Sequence, residues 1–530
     1  MALSLILRGG TVYDGTGKAG VAADIAVEDG KIAAIGKVEG KAERELDARG
    51  LAVAPGFIDI HSHSDYTLLL DPRAVSAVHQ GVTLEVIGNC GFGCGPIRRP
   101  ELAPQAIYGF DGSVALTWKT LGGYLDRLSS VKPAVNVITL VPNGQLRLST
   151  IGLSDQPANP KQLSAMQDLL REGLSEGAIG YSTGLEYATE VGCGEEELTQ
   201  LAKVAGKADG LYATHTRDRA AKALEAIEEG IRTGRNAEVR TQVSHLVPRN
   251  TAHGVFERSI ELVEKARNGG QDVRFDMHTR LYGTTMLHTM LPPWAGAGGK
   301  EAARTNLRSK EARQKMRAYQ SILSSVGDWN RVVLLDLPIM SEYSRRSLAD
   351  VAKECGQDAY DAAYDIIEAT LDLPRSPMVI LLTYTEEQQE SVFSHPLCMP
   401  ASDATTLAPD GPLGGAVFHG AYTWASWFWR FMVRDTRALT PEDAVHRMTG
   451  LPAAVLDLTD RGVLKPGARA YIAVFDPVSF GERGTTFEPN LLASGMKHVV
   501  VNGVLTLSDG KLTGQRAGEV LRRKGQPLTF

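Results

Sequence analysis

Cysteine is scarce in this 530-residue chain: Cys90, Cys94, Cys193, Cys355 and Cys398 are all there is. A set so sparse and odd in number argues against a disulfide framework and leaves a thiolate free to bind metal. Aromatic residues are few, at 6%, and positive charge is not in excess. The formal net charge of -6 offers no basic surface to a phosphate backbone, so nucleic acid is not an expected partner. Long apolar runs are missing as well. The start, Met1-Ala2-Leu3-Ser4-Leu5-Ile6-Leu7-Arg8, lacks the basic head, extended apolar stretch and small-residue cleavage site of a secretory signal, and it is too short to span a bilayer. A cytoplasmic protein without membrane association is the expectation, with oligomeric state left open. No internal repeat or low-complexity tract is present.

What is there is ordinary for a soluble globular protein, 43% hydrophobic and 22% charged. The length could hold two to four average domains, although a barrel enzyme with insertions can use most of it as one unit. The first fifty residues read as short strands (Leu3 to Leu7, Thr11 to Val12, Ile25 to Val27, Lys31 to Ile35), with Asp29-Gly30 as a hairpin signal. The far end repeats this style in Ala470 to Phe475, His498 to Val501 and Val504 to Leu507, with a second Asp-Gly at Asp509-Gly510. Both ends together suggest one small β-domain.

Between them, short apolar runs alternate with helical patterns, the sign of βα units around a parallel sheet. Eight candidate strands are Val53 to Ile60, Val82 to Gly88, Val135 to Val141, Ala178 to Ser182, Leu211 to Thr214, Arg240 to Ser244, Val273 to Met277 and Cys398 to Ser402. Helices are expected at Gln162 to Glu176, Glu195 to Ala208 and Arg219 to Thr233. The expected fold is α/β: a (β/α)₈ TIM-like barrel over 54–455, with a small β-sandwich-like domain built from 1–53 and 456–530. About 120 residues separate the seventh strand from the eighth, a gap that usually marks a functional insertion. Within it, 282–330 carries Gly-Ala-Gly-Gly at Gly296 to Gly299 and a basic helix near Lys310 to Arg317. A lid over the barrel mouth is expected there, with an elaborated helical layer as the alternative.

The strongest local signal is Pro55-Gly56-Phe57-Ile58-Asp59-Ile60-His61-Ser62-His63. Alternation along a strand puts i and i+2 on one face, so His61 and His63 can grip one ion together. Four further positions follow the ends of other expected strands, where barrel enzymes place catalytic groups: Cys90, His215, His245 and Asp403. Each has a plain alternative, because a free cysteine packs, a lone histidine is often a satisfied core residue and Ser-Asp caps helices. Jointly, six metal-competent side chains at one end of one barrel point to a bound metal.

With these motifs the chain resembles the amidohydrolase superfamily, in its N-acyl-D-amino-acid deacylase (D-aminoacylase) branch. The resemblance runs nearly end to end. It includes Gly81-Val82-Thr83 leading to Gly88-Asn89-Cys90-Gly91, Glu176-Gly177-Ala178-Ile179-Gly180, Gly184-Leu185-Glu186-Tyr187, Gly450-Leu451-Pro452-Ala453-Ala454 and Gly462-Val463-Leu464-Lys465-Pro466-Gly467. The cysteine discriminates, because many superfamily members bridge with a carboxylated lysine and this branch uses Cys. The resemblance implies a tighter zinc site of Cys90, His215 and His245, and a weaker one of His61, His63 and Asp403. It also implies hydrolysis of a small-molecule amide, with Asp403 as general base and then acid.

Substrate-side motifs depart from the family. The lysine expected after the sixth-strand histidine is replaced within Leu246-Val247-Pro248-Arg249, a Tyr-Pro-Tyr after the seventh strand reads His278-Thr279-Arg280, and a His-Pro-Arg becomes His419-Gly420-Ala421. The histidine that relatives carry after the third strand is Asn143. Arg280 is the leading replacement for the carboxylate-gripping arginine, ahead of Arg249 and Arg217. Tyr187 and Thr285 resemble substrate-contacting positions. If no arginine substitutes, a neutral or aromatic amide, carbamate or cyclic imide replaces the N-acyl amino acid, and the aromatic run Tyr422 to Trp429 either contacts it or packs a helix on the barrel. An inactive metal-binding scaffold is the reading of another class.

Overall fold

The computed structural model describes residues 3–249 and 254–523. The amino end forms strands β1 (Leu3–Val12), β2 (Val21–Glu28), β3 (Lys31–Gly36), β4 (Ala42–Asp47) and β5 (Ala52–Pro55). At Asp29-Gly30 both φ angles are positive, 48° and 72°, which is the two-residue turn that fits the twist of a tight hairpin.

Eight parallel segments follow at or near the expected places. They are β6 (Phe57–Asp59), β7 (Val82–Ile87), β8 (Asn136–Thr139) continuing into β9 (Val141–Pro142), β10 (Gly180–Gly184), β11 (Leu211–His215), β12 (Arg240–Val243), β13 (Val273–His278) and, after a long insertion, β17 (Cys398–Ala401). Pairing runs in parallel from β6 to β8 and from β9 through β13 to β17. The two runs adjoin where the Leu140 amide donates to Ile87 and the Ile179 amide to Thr139, and Ser62 bridges Ala404 at the other junction. Ile58, Leu84, Ile138, Leu211 and Met399 from these strands share one buried apolar cluster.

The expected strand Val53 to Ile60 is in fact two. β5 joins the terminal sheet and β6 the parallel one, and the chain crosses between them at Gly56, whose amide donates to the Tyr471 carbonyl. A Cβ at Gly56 would lie 2.2 Å from Thr83 Cγ2, so only glycine lets the crossing pack this closely.

The connecting helices include α1 (Pro160–Ser175), α2 (Glu195–Lys207), α3 (Ala223–Asn236) and α4 (Val255–Asn268). Helix α1 begins two residues before the expected Gln162 because Asn159 and Gln162 form a capping box with Pro160 in the first turn. Helix α3 begins four residues after the expected Arg219, because the Asp218 carboxylate accepts the amides of Ala220 and Lys222 and holds that stretch in a turn.

The insertion before β17 is a folded unit. Strands β14 (Tyr282–Met286), β15 (Val332–Leu334) and β16 (Met378–Leu382) form an antiparallel sheet in the order β14-β16-β15. Helices α5 (Lys300–Arg308), α6 (Lys310–Met316) and α7 (Ala359–Thr370) pack beside it, with Arg313 pairing to Asp361 and Asp365 and Arg317 to Asp361. The unit therefore extends past residue 330, since its first strand finds its partner only at β16.

Of the aromatic run Tyr422 to Trp429, the part from Trp424 onward forms helix α8 (Trp424–Trp429). Trp424, Phe428 and Trp429 are buried in the largest apolar cluster, and Trp429 Nε1 donates to the Pro477 carbonyl, so the run packs the molecule together. Beyond it come β18 (Ile472–Phe475), β19 (Met496–Val501), β20 (Val504–Ser508) and β21 (Lys511–Leu512). They pair with the amino-terminal strands through β18 and β5, giving one nine-stranded sheet from both chain ends. The second Asp-Gly turns between β20 and β21 with φ of 50° and 72°. No helix among the described residues is long and apolar enough to cross a membrane.

Candidate metal centre

Every expected metal ligand lies at or just past the carboxyl end of a parallel strand, and at three of the six the backbone is bent sharply. Cys90, His245 and Asp403 have φ of 52°, 37° and 43°, a left-handed conformation that side-chain-bearing residues rarely take. Such strain costs on the order of 1–3 kcal/mol per residue and persists only where the surroundings enforce it. Here they do. Asp59 on β6 accepts amides from Ser402 at 3.0 Å and His61 at 3.3 Å, the Asp403 amide donates to the His61 carbonyl at 2.9 Å, and the His63 amide donates to Ala404 at 2.9 Å.

The result is two overlapping sets of donors, His61, His63, Cys90 and Asp403 in one and Cys90, His215 and His245 in the other, each with its ligand atoms within 4.8 Å of one another. His61 Nε2 lies 3.1 Å from Cys90 Sγ and 3.5 Å from Asp403 Oδ1. Cys90 Sγ is 3.6 Å from His245 Nε2, and His63 Nε2 is 3.2 Å from Asp403 Oδ1. All six side chains thus converge, and Cys90 is common to both sets.

The donor chemistry fits a zinc-type cation. The His215 Nδ1 atom, across the ring from the Nε2 that Glu186 holds, is buried without a hydrogen-bond partner, an arrangement that is costly unless something binds it. Burial lowers the pKa of the His63, His215 and His245 rings and keeps them neutral, the form that ligates. Burial also pushes the Cys90 thiol up to about 11, so a neighbouring cation is what would make it a thiolate. Burial alone would raise the Asp403 carboxyl, but the His63 hydrogen bond and the charges of His61 and Arg280 outweigh it and hold the group ionised below the usual carboxylate range.

Two supporting carboxylates were not foreseen from sequence. Glu186 Oε2 lies 2.7 Å from His215 Nε2, and Asp276 Oδ1 lies 3.1 Å from His61 Nδ1. Each holds one nitrogen of an expected ligand ring, as carboxylates that orient metal-binding histidines do. Glu186 stands in the quoted Gly184-Leu185-Glu186-Tyr187 stretch, and Asp276 alternates with the apolar face of β13, so signals existed for both. Arg249 and Arg219 lock Glu186 in turn: Arg249 pairs with Oε1, and the Arg219 amide donates to the same oxygen at 3.2 Å.

The expected substrate contacts are more divided. Arg280 donates to Ser402 O at 2.5 Å, to Asp403 O at 3.1 Å and to Asp403 Oδ2 at 3.1 Å, so an incoming carboxylate would compete with Asp403 for it. Arg249 is held by Glu186 and Arg217 by Glu229. Asn143 donates to Glu190 and so is also internally bound. Tyr187 lies against His215, ring centres 4.9 Å apart, and its hydroxyl meets that of Tyr108 at 3.1 Å. Thr285 is buried on β14 beside the Tyr108 hydroxyl. Tyr108, unremarked in the sequence, stacks on Phe92 at 4.3 Å and sits 4.7 Å from the His63 ring. Beyond these plates lies a cavity of about 620 Å³, walled by Phe92, Tyr108, Tyr187, Met286, Leu407 and Phe418. That is the size and apolar character of a small-molecule site. Helix α8 does not line it.

A family model described as "Amidohydrolase family" matches residues 44–286 and 391–507. The chain is 31% identical to N-acyl-D-aspartate deacylase and 30% identical to D-aminoacylase, both of Alcaligenes xylosoxydans xylosoxydans. Those matches cover 97% and 98% of this chain and 94% and 97% of the relatives. A D-aminoacylase structure studied for its binuclear metal centre superposes with a TM-score of 0.83 at 28% identity, covering 98% of this chain and all of the other. The N-acyl-D-glutamate deacylase of Bordetella bronchiseptica, in complex with zinc and a phosphonate inhibitor, superposes with a TM-score of 0.80 at 30% identity and the same coverage.

Proposed function

The chain belongs to the amidohydrolase family and is a metal-dependent hydrolase of C–N amide bonds, and from that premise we propose that it deacylates a small N-acylated substrate in the manner of an N-acyl-D-amino-acid deacylase. The observation that carries this reading is the convergence of six donors, one of them a cysteine, from five strand ends. The eight parallel strands are read as a closed (β/α)₈ barrel over 54–455, with 1–53 and 456–530 as the small terminal domain. The insertion beginning at 282 is read as the lid over the mouth.

In this proposal Cys90, His215 and His245 hold the tighter zinc, and His61, His63 and Asp403 flank it as a weaker set. The related D-aminoacylase has a binuclear centre with one-metal activation and second-metal attenuation, which supports giving the working role to one set. Bound zinc supplies Lewis acidity toward the scissile carbonyl and lowers the pKa of water. Asp403, ionised and fixed by His63 and Arg280, accepts the attacking water's proton and delivers it to the leaving nitrogen. Glu186 and Asp276 keep the His215 and His61 rings turned toward the cluster. Phe92, Tyr108 and Tyr187 shield the cluster, and Tyr187 and Thr285 flank the path to the cavity.

The engagement of Arg280 by Asp403 favours a second reading, in which the substrate is a neutral or aromatic amide, carbamate or cyclic imide. An assay of zinc-loaded protein on N-acetyl-D-amino acids and neutral aryl amides separates the two. Hydrolysis of the former supports the deacylase reading, and hydrolysis of neutral amides alone rejects it. Asp403→Asn should keep the tighter zinc and lose most turnover, and unchanged activity would exclude the proton-transfer role.

A further inference from the structure

The cavity beyond Phe92, Tyr108 and Tyr187 begins at the segments that supply the metal donors. Phe92 stands two residues past Cys90 and Thr405 two past Asp403, while Tyr108 lies against the His63 ring and Tyr187 against the His215 ring. The far wall comes from the insertion, with Met286 on β14, Ala303 on α5, Ile367 on α7 and Leu371 just beyond it. Charged groups on the walls are exposed or already paired: Glu101, Lys300 and Asp372 are exposed, and Arg375 is bound to Asp111 at 3.2 Å. His288, whose Nδ1 meets the Ser376 hydroxyl at 2.8 Å, is neutral because burial lowers its pKa to about 4. A charged substrate group would thus be poorly compensated in the interior, and an apolar one is suited to it.

Size narrows the choice. The methyl of an acetyl group is about as large as a water molecule, roughly 30 Å³, so it would occupy a small corner of the 620 Å³ and leave apolar walls facing water. Transfer of that water to bulk favours a larger apolar occupant. The position of the cavity distinguishes the two halves of an amide. Asp403, the proposed proton donor to the leaving nitrogen, is bound by Arg280 where β13 and β17 lie side by side, so the amine half belongs on that side. Among the described residues none from 190 to 285 lines the cavity, which instead adjoins the ends of β7 and β10 through Phe92 and Tyr187. The acyl half, leaving the carbonyl carbon in the other direction, points toward it.

Resting on the deacylase-type reading of the same site, we propose that the acyl group of the substrate is a medium-length apolar alkanoyl chain and that this cavity seats it. The test measures kcat/KM of zinc-loaded wild type on the acetyl, butanoyl, hexanoyl and octanoyl derivatives of D-alanine and of aniline, with N-acetyl-D-phenylalanine as the amine-side control. From acetyl to hexanoyl the value should rise about threefold per added methylene, close to the transfer gain of a buried CH₂. Ala303→Phe and Leu371→Phe narrow the cavity from different segments. Each should cut the ratio of hexanoyl to acetyl kcat/KM about tenfold, with zinc content at the wild-type level, and the chain-length series in wild type stands whatever the stability of the variants. A flat or falling series, a gain seen only on enlarging the amine side from D-alanine to D-phenylalanine, or a ratio untouched in both variants would overturn the proposal. A zinc-loaded wild type inactive on the whole panel would instead defeat the deacylase-type reading, and the acyl site with it.

Discussion

Replacing Glu186 with glutamine separates orientation of a metal ligand from stability of the fold. Glu186 and Arg249 are both buried, with side chains 6% and 3% exposed, and Glu186 Oε2 meets His215 Nε2 at 2.7 Å. Burial raises the Glu186 carboxyl, but the Arg249 charge and the His215 hydrogen bond outweigh it and bring the pKa down to about 2. Glu186→Gln therefore leaves the Arg249 charge buried without a counter-ion. Breaking a buried pair in this way costs about 3–5 kcal/mol, and the amide dipole keeps the loss near the lower end. Loss of a carboxylate that orients a metal-binding histidine costs about 10–100-fold in metal affinity, or roughly 1.4–2.8 kcal/mol. The double variant Glu186→Gln with Arg249→Met removes both charges. It should regain most of the stability while zinc affinity stays weakened. Urea denaturation measures the first quantity, and competition with a chromophoric chelator the second. A Glu186→Gln protein that binds zinc within about twofold of wild type would refute the orienting role.

Glu190 gives a pH-dependent test away from the ligands themselves: burial raises its pKa from 4.5 to about 7, and its Oε1 has no partner. Because the folded pKa is the higher one, the folded state holds this proton through the window between those values, and stability falls as pH rises through it. Glu190→Gln should accordingly raise the melting temperature relative to wild type at pH 8, by the equivalent of about 3 kcal/mol at most, and by little at pH 4.5. An equal gain at both pH values would exclude the ionisation as its source. Gly56→Ala should lower stability by about 1–3 kcal/mol in urea, since the new methyl would meet the buried Thr83 side chain where the two sheets cross. A neutral result there would mean that the crossing can shift.

Much of the site was legible because strand periodicity and ligand chemistry reinforce each other. His61 and His63 are two apart at a strand end, and Cys90, His215, His245 and Asp403 each stand just past a short apolar run. What sequence could not supply was pairing across the chain. Nothing local in Gly184-Leu185-Glu186-Tyr187 says that Glu186 meets His215 and Arg249, 29 and 63 residues away. Arg280 looked free to grip a substrate because its binding to Asp403 arises only when β13 and β17 lie side by side. Gly56 hid a strand break inside an unbroken apolar run, and Tyr108 lies in a segment whose pattern gave no reason to bring it to the His63 ring. The aromatic run around Trp427 had two readings, and packing decided between them.

A cation joined to the Cys90 thiolate is proposed to do the work of this site, and metal analysis of purified wild type and Cys90→Ser, each with its amidase activity, probes that role. The expected outcome is about one tightly held zinc per wild-type chain, loss of that zinc and of turnover in Cys90→Ser, and recovery of chelator-stripped wild type on adding zinc. Full activity of metal-stripped protein, or a Cys90→Ser protein that keeps its zinc and its turnover, would contradict it.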